Sequence, residues 1–179
     1  MSGIRIFFVF YCFIILSSCK FSCSVGDKRE EPSVAEYKDG IRLSNGIELQ
    51  ANGVKVDKAF LLFEDGKAVP AGNIVDFSQP VQLVLVIEKG WNEVDGKVRL
   101  GAYEKIEVET GQVLVEEQDM FASYTEKGID PADARRVTLT ATITLKKKIA
   151  PLTTFYVHFR VWDKAGDSFL QGRYRLYSK

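Results

Sequence analysis

The chain has few of the residues that build catalytic or metal centres. Histidine occurs once, at His158, and all three cysteines fall within the first 23 of the 179 residues. Disulfides and cysteine-ligated metals are therefore excluded from the remainder of the chain, whose fold must be held together by apolar burial. Apolar residues make up 46% of the sequence, which is enough to build such a core.

An excess of charge is missing as well. The 24 basic residues balance the 24 acidic residues. Proteins that bind the phosphate backbone of nucleic acids usually carry a basic surplus, so we do not expect a nucleic acid partner. Glycine-rich loops of the dinucleotide-binding and P-loop types do not occur, and the sequence predicts no cofactor.

Long apolar runs are absent too, and the longest covers only the eleven residues 6–16. Such a run is too short to span the roughly 30 Å hydrocarbon core of a bilayer as a helix. It follows Arg5, and a positive start before a short apolar stretch is typical of an export signal peptide. We therefore predict that residues 1–18 are a leader and take no part in the fold.

The leader ends in Leu16-Ser17-Ser18-Cys19. This tetrapeptide resembles the lipobox of bacterial lipoproteins. The resemblance implies a diacylglycerol on the Cys19 thiol, cleavage just before Cys19 and acylation of the new amino group. Two or three acyl chains would anchor the protein far more firmly than one, since each buried methylene adds roughly 0.8 kcal/mol.

The lipobox predicts where in the cell the protein is located, and it gives no information about an activity. We expect the membrane to be a partner through the N-terminal lipid, in the cell envelope, with the outer membrane favoured over the inner. An ordinary signal peptide cleaved near Ser18, or an uncleaved membrane anchor, are the alternatives.

Behind Cys19 the composition becomes polar. We interpret residues 19–37 as the lipidated cysteine and a flexible tether, because this stretch has too little apolar surface to form a core. The remaining residues, 38–179, are about the length of one domain with one core.

The domain is predicted to be all-β. Short alternating segments are separated by Gly, Asn and Asp turns, and long helical periodicity is missing. We predict a two-sheet antiparallel sandwich of immunoglobulin-like type with eight or nine strands, and at most one short helical turn near residues 130–134. A closed barrel has the same local pattern and is the alternative.

Four local features follow from the pattern. Hairpins are predicted around Asn45-Gly46, joining 41–43 to 47–49, and around Thr110-Gly111. A bulge or bend is expected at Gly101. Residues 136–146 alternate apolar residues with threonines, which predicts a strand with one solvent-exposed face.

The sequence offers little for catalysis, and we predict that the protein is not an enzyme. His158 has no Gly-x-Ser-x-Gly motif to work with, and the aspartates are scattered near turns, where they bond to nearby backbone amides. The loop from Asp163 to Asp167 has two carboxylates that calcium could use, but it lacks the EF-hand pattern, and a polar hairpin loop is the preferred interpretation.

The C-terminal hairpin is the most informative stretch. With residues 163–168 as its loop, it pairs Tyr156 with Arg175, His158 with Arg173, Arg160 with Gln171, and Trp162 with Phe169 on the outward face. The aromatic and cationic residues of this face form the predicted binding site: Tyr156, His158, Arg160, Trp162, Phe169, Arg173 and Arg175. These residue types are common at binding hot spots, although arginines stacked on aromatic rings also stabilise a sheet without any ligand.

These observations favour a membrane-anchored, non-enzymatic binding module, or a small subunit of an envelope complex, with an envelope protein or a glycan as partner. A lipocalin-like carrier of a small apolar ligand is the first alternative, and it requires a closed barrel with an empty interior. An envelope hydrolase is the second. A pilus-like subunit ranks last, because the polar tether makes a poor donor strand.

Overall fold

The computed structural model describes residues 21–25, 36–143 and 149–179. The predicted leader, the lipobox with Cys19, and residues 26–35 of the predicted tether lie outside these ranges. The described residues form fourteen strands and two short 3₁₀ helices.

The strands of the first half are β1 (Phe21–Val25), β2 (Glu36–Lys38), β3 (Ile41–Leu43), β4 (Glu48–Asn52), β5 (Lys55–Phe63), β6 (Ile74–Val75) and β7 (Val81–Lys89). Those of the second half are β8 (Glu93–Val94), β9 (Lys97–Val98), β10 (Leu100–Val108), β11 (Val113–Glu117), β12 (Arg136–Ala141), β13 (Thr154–Asp163) and β14 (Phe169–Ser178). The 3₁₀ helices are η1 (Ala122–Tyr124) and η2 (Asp133–Arg135).

Two six-stranded sheets carry the fold. The first has the order β1-β12-β7-β5-β3-β2, and the second has the order β11-β10-β13-β14-β4 with β6 beside β14. Most neighbours are antiparallel, while β3 with β5 and β6 with β14 run parallel. The short strands β8 and β9 form a separate ribbon. The predicted all-β sandwich is confirmed.

The core lies between the two sheets. Leu61 and Leu83 of the first sheet and Val157 and Leu170 of the second belong to one buried cluster and are completely inaccessible to solvent. Within the described residues, strands of one sheet do not pair with strands of the other. The interior is therefore filled by interdigitating side chains, as in a sandwich.

The count of strands was predicted wrongly. Eight or nine were expected, and the additional ones are mostly two or three residues long, such as β6, β8 and β9. Segments this short show no period-2 alternation, so the sequence pattern cannot reveal them.

A short helical turn was predicted near residues 130–134, and one is found close to that position, but the predicted single turn and its capping differ from the structure. A 3₁₀ turn, η2, begins at Asp133 without any side-chain cap, and Asp130 instead pairs with Lys97. The second turn, η1, was not predicted.

Part of the predicted tether lies in a sheet. Strand β1 falls within residues 19–37, yet it pairs with β12 in full antiparallel register from Phe21 opposite Ala141 to Val25 opposite Val137. Strand β2 begins at Glu36, also inside that stretch. The polar composition around these strands concealed them, because two short alternating segments contribute little to the average.

The predicted hairpin around Asn45-Gly46 is wrong. The turn exists, with φ of 58° at Asn45 and 60° at Gly46, but β3 joins the first sheet and β4 joins the second. The buried Asn45 amide accepts from Leu61 N at 3.1 Å and donates to Asn73 Oδ1 at 2.9 Å. These long-range bonds hold the turn as a corner between the sheets, whereas the pattern around it suggested a local hairpin.

The threonine face of β12 is buried, contrary to expectation. Thr138 and Thr140 are 6% and 4% exposed, on the same side of the first sheet as a second apolar cluster of Phe60, Leu62 and Val84. A threonine methyl and hydroxyl fit either a wet or a buried sheet surface, so alternation alone did not identify the solvent side.

Candidate functional site

The C-terminal hairpin forms with the predicted register. Tyr156 is opposite Arg175, His158 opposite Arg173, Arg160 opposite Gln171 and Trp162 opposite Phe169, while Val157 and Tyr174 lie together in the core. The seven predicted site residues therefore share one face. We call the side of the second sheet that turns away from the core its outer face.

The neighbouring strands extend this face into rows that cross the sheet. Register along β10, β13, β14 and β4 aligns two rows at the centre. The upper row is Tyr103, Arg160, Gln171 and Gln50, and the lower row is Lys105, His158, Arg173 and Glu48. Side chains in a row are about 5 Å apart, close enough to interact across strands.

At one end of the face, Trp162 packs on Gly101. A Cβ at Gly101 would overlap the indole ring, so the glycine provides the space that the ring occupies. The bulge predicted at Gly101 as one possibility is absent, since β10 pairs with β13 without a register shift from Leu100 to Val108. Trp162 is half-buried, and its contact with β10 gives it a structural part in the sheet.

Two exposed arginines stack on aromatic rings. The Arg160 guanidinium carbon lies 4.9 Å from the Phe169 ring centroid, and that of Arg175 lies 5.7 Å from the Tyr156 ring centroid. Such stacking holds a guanidinium in place while leaving its N–H groups available. Among the described residues, no carboxylate lies within ion-pair distance of Arg160 or Arg175.

The other basic side chains on the outer face of the second sheet lie against carboxylates. Arg173 binds Glu48 through two bonds, Nε to Oε2 at 2.8 Å and a second guanidinium nitrogen to Oε1 at 3.1 Å. The hydrogen bond from Arg173 lowers the pKa of Glu48. His158 Nε2 lies 3.1 Å from Glu107 Oε1, and Lys105 Nζ lies 2.8 Å from Glu107 Oε2. The pKa of Glu107 is lowered first by its bond to Lys105 and then by His158.

A groove of about 580 Å³ runs between the two central rows. Its floor is formed where Phe159, Gly172 and Leu49 sit side by side on adjacent strands. Tyr103, Arg160, Gln171 and Gln50 form one wall, and His158, Arg173, Glu48 and Lys38 complete the lining. The volume falls within the range of small-ligand sites.

Half of the groove was missed by sequence reasoning. Tyr103 on β10 and Glu48 and Gln50 on β4 are far from the hairpin in sequence, and only sheet pairing brings them beside it. The alternation of Tyr103, Lys105 and Glu107 was a usable signal, but Glu104 between them made the pattern look irregular.

Glu104 explains that irregularity, because it points into the core. Its carboxyl is fully buried, and neither oxygen has a hydrogen-bond partner. Burial raises the pKa of Glu104 to about 8, so the group is mostly protonated at neutral pH. The equally unpartnered hydroxyl of Tyr174 lies in the same core, where burial and then the charge of Glu104 raise its pKa.

The Asp163–Asp167 loop is stabilised by backbone N–H groups that donate to the Asp163 carboxylate. Asp163 is 2% exposed, and its carboxylate accepts from Asn92 N at 2.6 Å and from Ala165 N at 2.8 Å. Across the described residues, no group of three or more His, Cys, Asp or Glu side chains is placed to hold a metal. Trp91 donates to Ala134 O at 3.2 Å and packs on the core edge.

The chain shows no similarity that identifies a family. No protein-family model matches it, and no curated protein is similar enough to count as a relative. In the described part of the chain, no helix has the length and apolar character needed to cross a bilayer. The outer face of the second sheet and its groove are the features of the molecule that point to a function.

Proposed function

We propose that the protein is an envelope lipoprotein, held on a membrane by acyl chains on Cys19, that acts as a non-enzymatic binding module. Its binding surface is the outer face of the second sheet. The observation that carries this proposal is the presence of two exposed guanidiniums, Arg160 and Arg175, held on aromatic rings and without ion-pair partners in the described chain.

The arrangement suits recognition because its parts are already ordered. Arg160 and Arg175 lose little conformational entropy on binding, since Phe169 and Tyr156 position them beforehand. The paired strands β13 and β14, each ten residues long, make a rigid base for these side chains. Arginine and aromatic side chains supply much of the energy of protein interfaces.

The anchoring part of the proposal depends on the lipobox alone. Leu16-Ser17-Ser18-Cys19 supplies a leucine three residues before the cysteine and two small residues between them. A lipid at Cys19 places the domain at the membrane surface, where even a modest affinity gives high occupancy, because the effective concentration of nearby partners is raised.

The lipid anchor and the binding surface are both tested by expressing the protein in one bacterial host. The full-length wild type and Cys19→Ala are compared for incorporation of a labelled fatty acid and for recovery in the membrane fraction. Arg160→Ala/Arg175→Ala is then compared with wild type for the partners recovered after chemical crosslinking of intact cells. Arg135→Ala is the matched control, because Arg135 is an exposed arginine in η2, which contacts the first sheet.

We expect label and membrane recovery to depend on Cys19, and partner recovery to depend on Arg160 and Arg175 but not on Arg135. Unlabelled protein in both forms would refute the anchor. Equal partner recovery by the double variant and wild type would refute the outer face as the binding surface.

A further inference from the structure

We infer that the groove on the outer face binds a saccharide that carries carboxylate groups. This inference rests on the proposed binding function and names the ligand class of the same site. Three properties of the groove support this ligand class. The groove runs across the strands, its walls offer both hydrogen-bond donors and acceptors, and its charge is positive.

The groove crosses the strands, which restricts how a ligand is held. It spans four neighbouring strands from β10 to β4, a width of roughly 14 Å at the usual strand spacing. The backbone groups of its floor are used in sheet pairing, as Phe159 pairs with Gly172 and Gly172 with Leu49. A ligand is therefore recognised by side chains and cannot be added as an extra strand, which is how extended peptides usually bind to sheets.

The walls offer both donors and acceptors. Gln171 Nε2 donates to Gln50 Oε1 at 3.1 Å. Within the described residues, the other end of each amide has no partner, so one complete NH₂ group and one carbonyl oxygen remain available whichever way the amides are turned. A hydroxyl both donates and accepts, so it can satisfy such a pair, whereas a carboxylate can only accept.

The charge of the groove is positive. Lys38, Arg160 and Arg173 line it against the single carboxylate of Glu48, and that carboxylate is already bound by Arg173. Within the part of the chain that the structure describes, Arg160 has no carboxylate partner. It presents a planar set of donors that matches a carboxylate with two parallel bonds. A ligand with many hydroxyls and a carboxylate on some of its rings meets all of these groups.

Tyr103 adds a flat surface at the β10 end of the groove. Its hydroxyl is held by Glu116 Oε1 at 3.1 Å, which limits rotation of the phenol. An aromatic ring beside hydrogen-bonding groups offers apolar area to the C–H side of a sugar ring together with polar partners for its hydroxyls.

The test uses the full-length protein purified from membranes in detergent micelles. Trigalacturonate is titrated into it calorimetrically at pH 7 and low salt, and two other probes are titrated in parallel. Maltotriose has the hydroxyls without the carboxylates, and a hexa-aspartate peptide has the carboxylates without the hydroxyls. The same titrations are made with Arg160→Gln and with Arg135→Gln, which removes the same charge outside the groove.

We expect saturable binding of trigalacturonate, with no measurable binding of maltotriose or hexa-aspartate. Arg160→Gln should weaken the affinity about tenfold or more, the usual effect of losing a charge-assisted bidentate contact, and Arg135→Gln should leave it unchanged. Both variants should unfold at the same temperature as wild type, because both side chains are exposed.

Two results overturn the inference. Hexa-aspartate binding as tightly as trigalacturonate would make the groove a site for acidic peptides, and the absence of any trigalacturonate binding would remove saccharide acids as the ligand class. Either result leaves the proposed function in place if Arg160→Ala/Arg175→Ala still loses its partners in cells. Undiminished partner recovery by that variant refutes the proposed function itself.

Discussion

The outward sides of the two sheets differ in what they expose. On the first sheet, Phe60, Leu62 and Val84 point away from the main core and are still 2% exposed or less. On the second sheet, Arg160, Arg173 and Arg175 point away from the core and are exposed. The middle strands of the first sheet are thus buried on both sides, whereas those of the second have one open side.

Because of this difference, the first sheet mainly stabilises the fold, whereas the outer face of the second sheet is available for recognition. An apolar side chain on either side of the first sheet is removed from water on folding, and shortening it leaves a cavity that destabilises the protein. Apart from Trp162, which packs on Gly101, a residue on the outer face of the second sheet contributes little to folding, so its chemistry is available for binding.

Shortening an outward residue of the first sheet should cost the most. Phe60→Ala is expected to lower the free energy of unfolding by about 4 kcal/mol, because it removes a buried ring. Gln171→Ala, on the outer face of the second sheet, should change it by less than about 0.5 kcal/mol. Urea unfolding of both variants measures the contrast, and equal costs would show that the two outward sides do not differ.

The buried carboxyl of Glu104 should make stability depend on pH. Its folded pKa of about 8 exceeds its ordinary value of 4.5, so the folded state keeps a proton that the unfolded state releases. Stability should therefore fall as pH rises from about 4.5 to 8 and level off above that range. Tyr174 is the titratable neighbour that faces Glu104, and its own pKa is raised well above 10.

Glu104→Gln removes this ionisation. The stability difference between wild type and Glu104→Gln is expected to shift by about 3 kcal/mol between pH 5 and pH 7, since each pH unit contributes about 1.4 kcal/mol. Glu126→Gln, which alters an exposed carboxylate, is the control and should follow wild type. Parallel pH profiles for wild type and Glu104→Gln would contradict a protonated Glu104 in the core.

Filling the space under Trp162 should have an intermediate effect. Gly101→Ala is expected to cost about 2 kcal/mol, because the new methyl group overlaps the indole ring and forces it to move. Gly72→Ala is the matched control, since open space surrounds that position. Thermal unfolding distinguishes them, and equal midpoints would mean that Trp162 does not lie on Gly101.

The ion pair between Arg173 and Glu48 should have the smallest effect. Both side chains are about half exposed, so solvent screens the pair despite its two hydrogen bonds. A double-mutant cycle with Arg173→Ala and Glu48→Ala should give a coupling within the error of the measurement. A clear coupling would show that this pair stabilises the fold and that the outer face is not free for binding.

The C-terminal hairpin shows what can be predicted from sequence. Its two strands are joined by a short loop, and both alternate, so only one register buries Val157 together with Tyr174. The outward neighbours, including His158 and Arg173, then follow without further information. The turn at Gly111, with φ of 82°, joins β10 to β11 for the same local reason.

Non-local pairing explains what the sequence did not predict. The Asn45-Gly46 turn has the residues of a hairpin, but the bonds of Asn45 to Leu61 and Asn73 come from distant parts of the chain. An unpaired carboxyl is costly to bury, so the core position of Glu104 breaks the usual alternation and made β10 look bent in the sequence. The β4 and β10 walls of the groove depend on the same kind of long-range pairing.

In the proposed function, the outer face of the second sheet contacts a partner in the cell. The most direct test places a photoreactive amino acid at Gln171, in the groove, and separately at Arg135, in η2, and irradiates living cells that express the full-length chain. A binding surface on the outer face should give a discrete adduct from position 171 and none from position 135. Adducts of equal yield from both positions, or from position 135 alone, would contradict it.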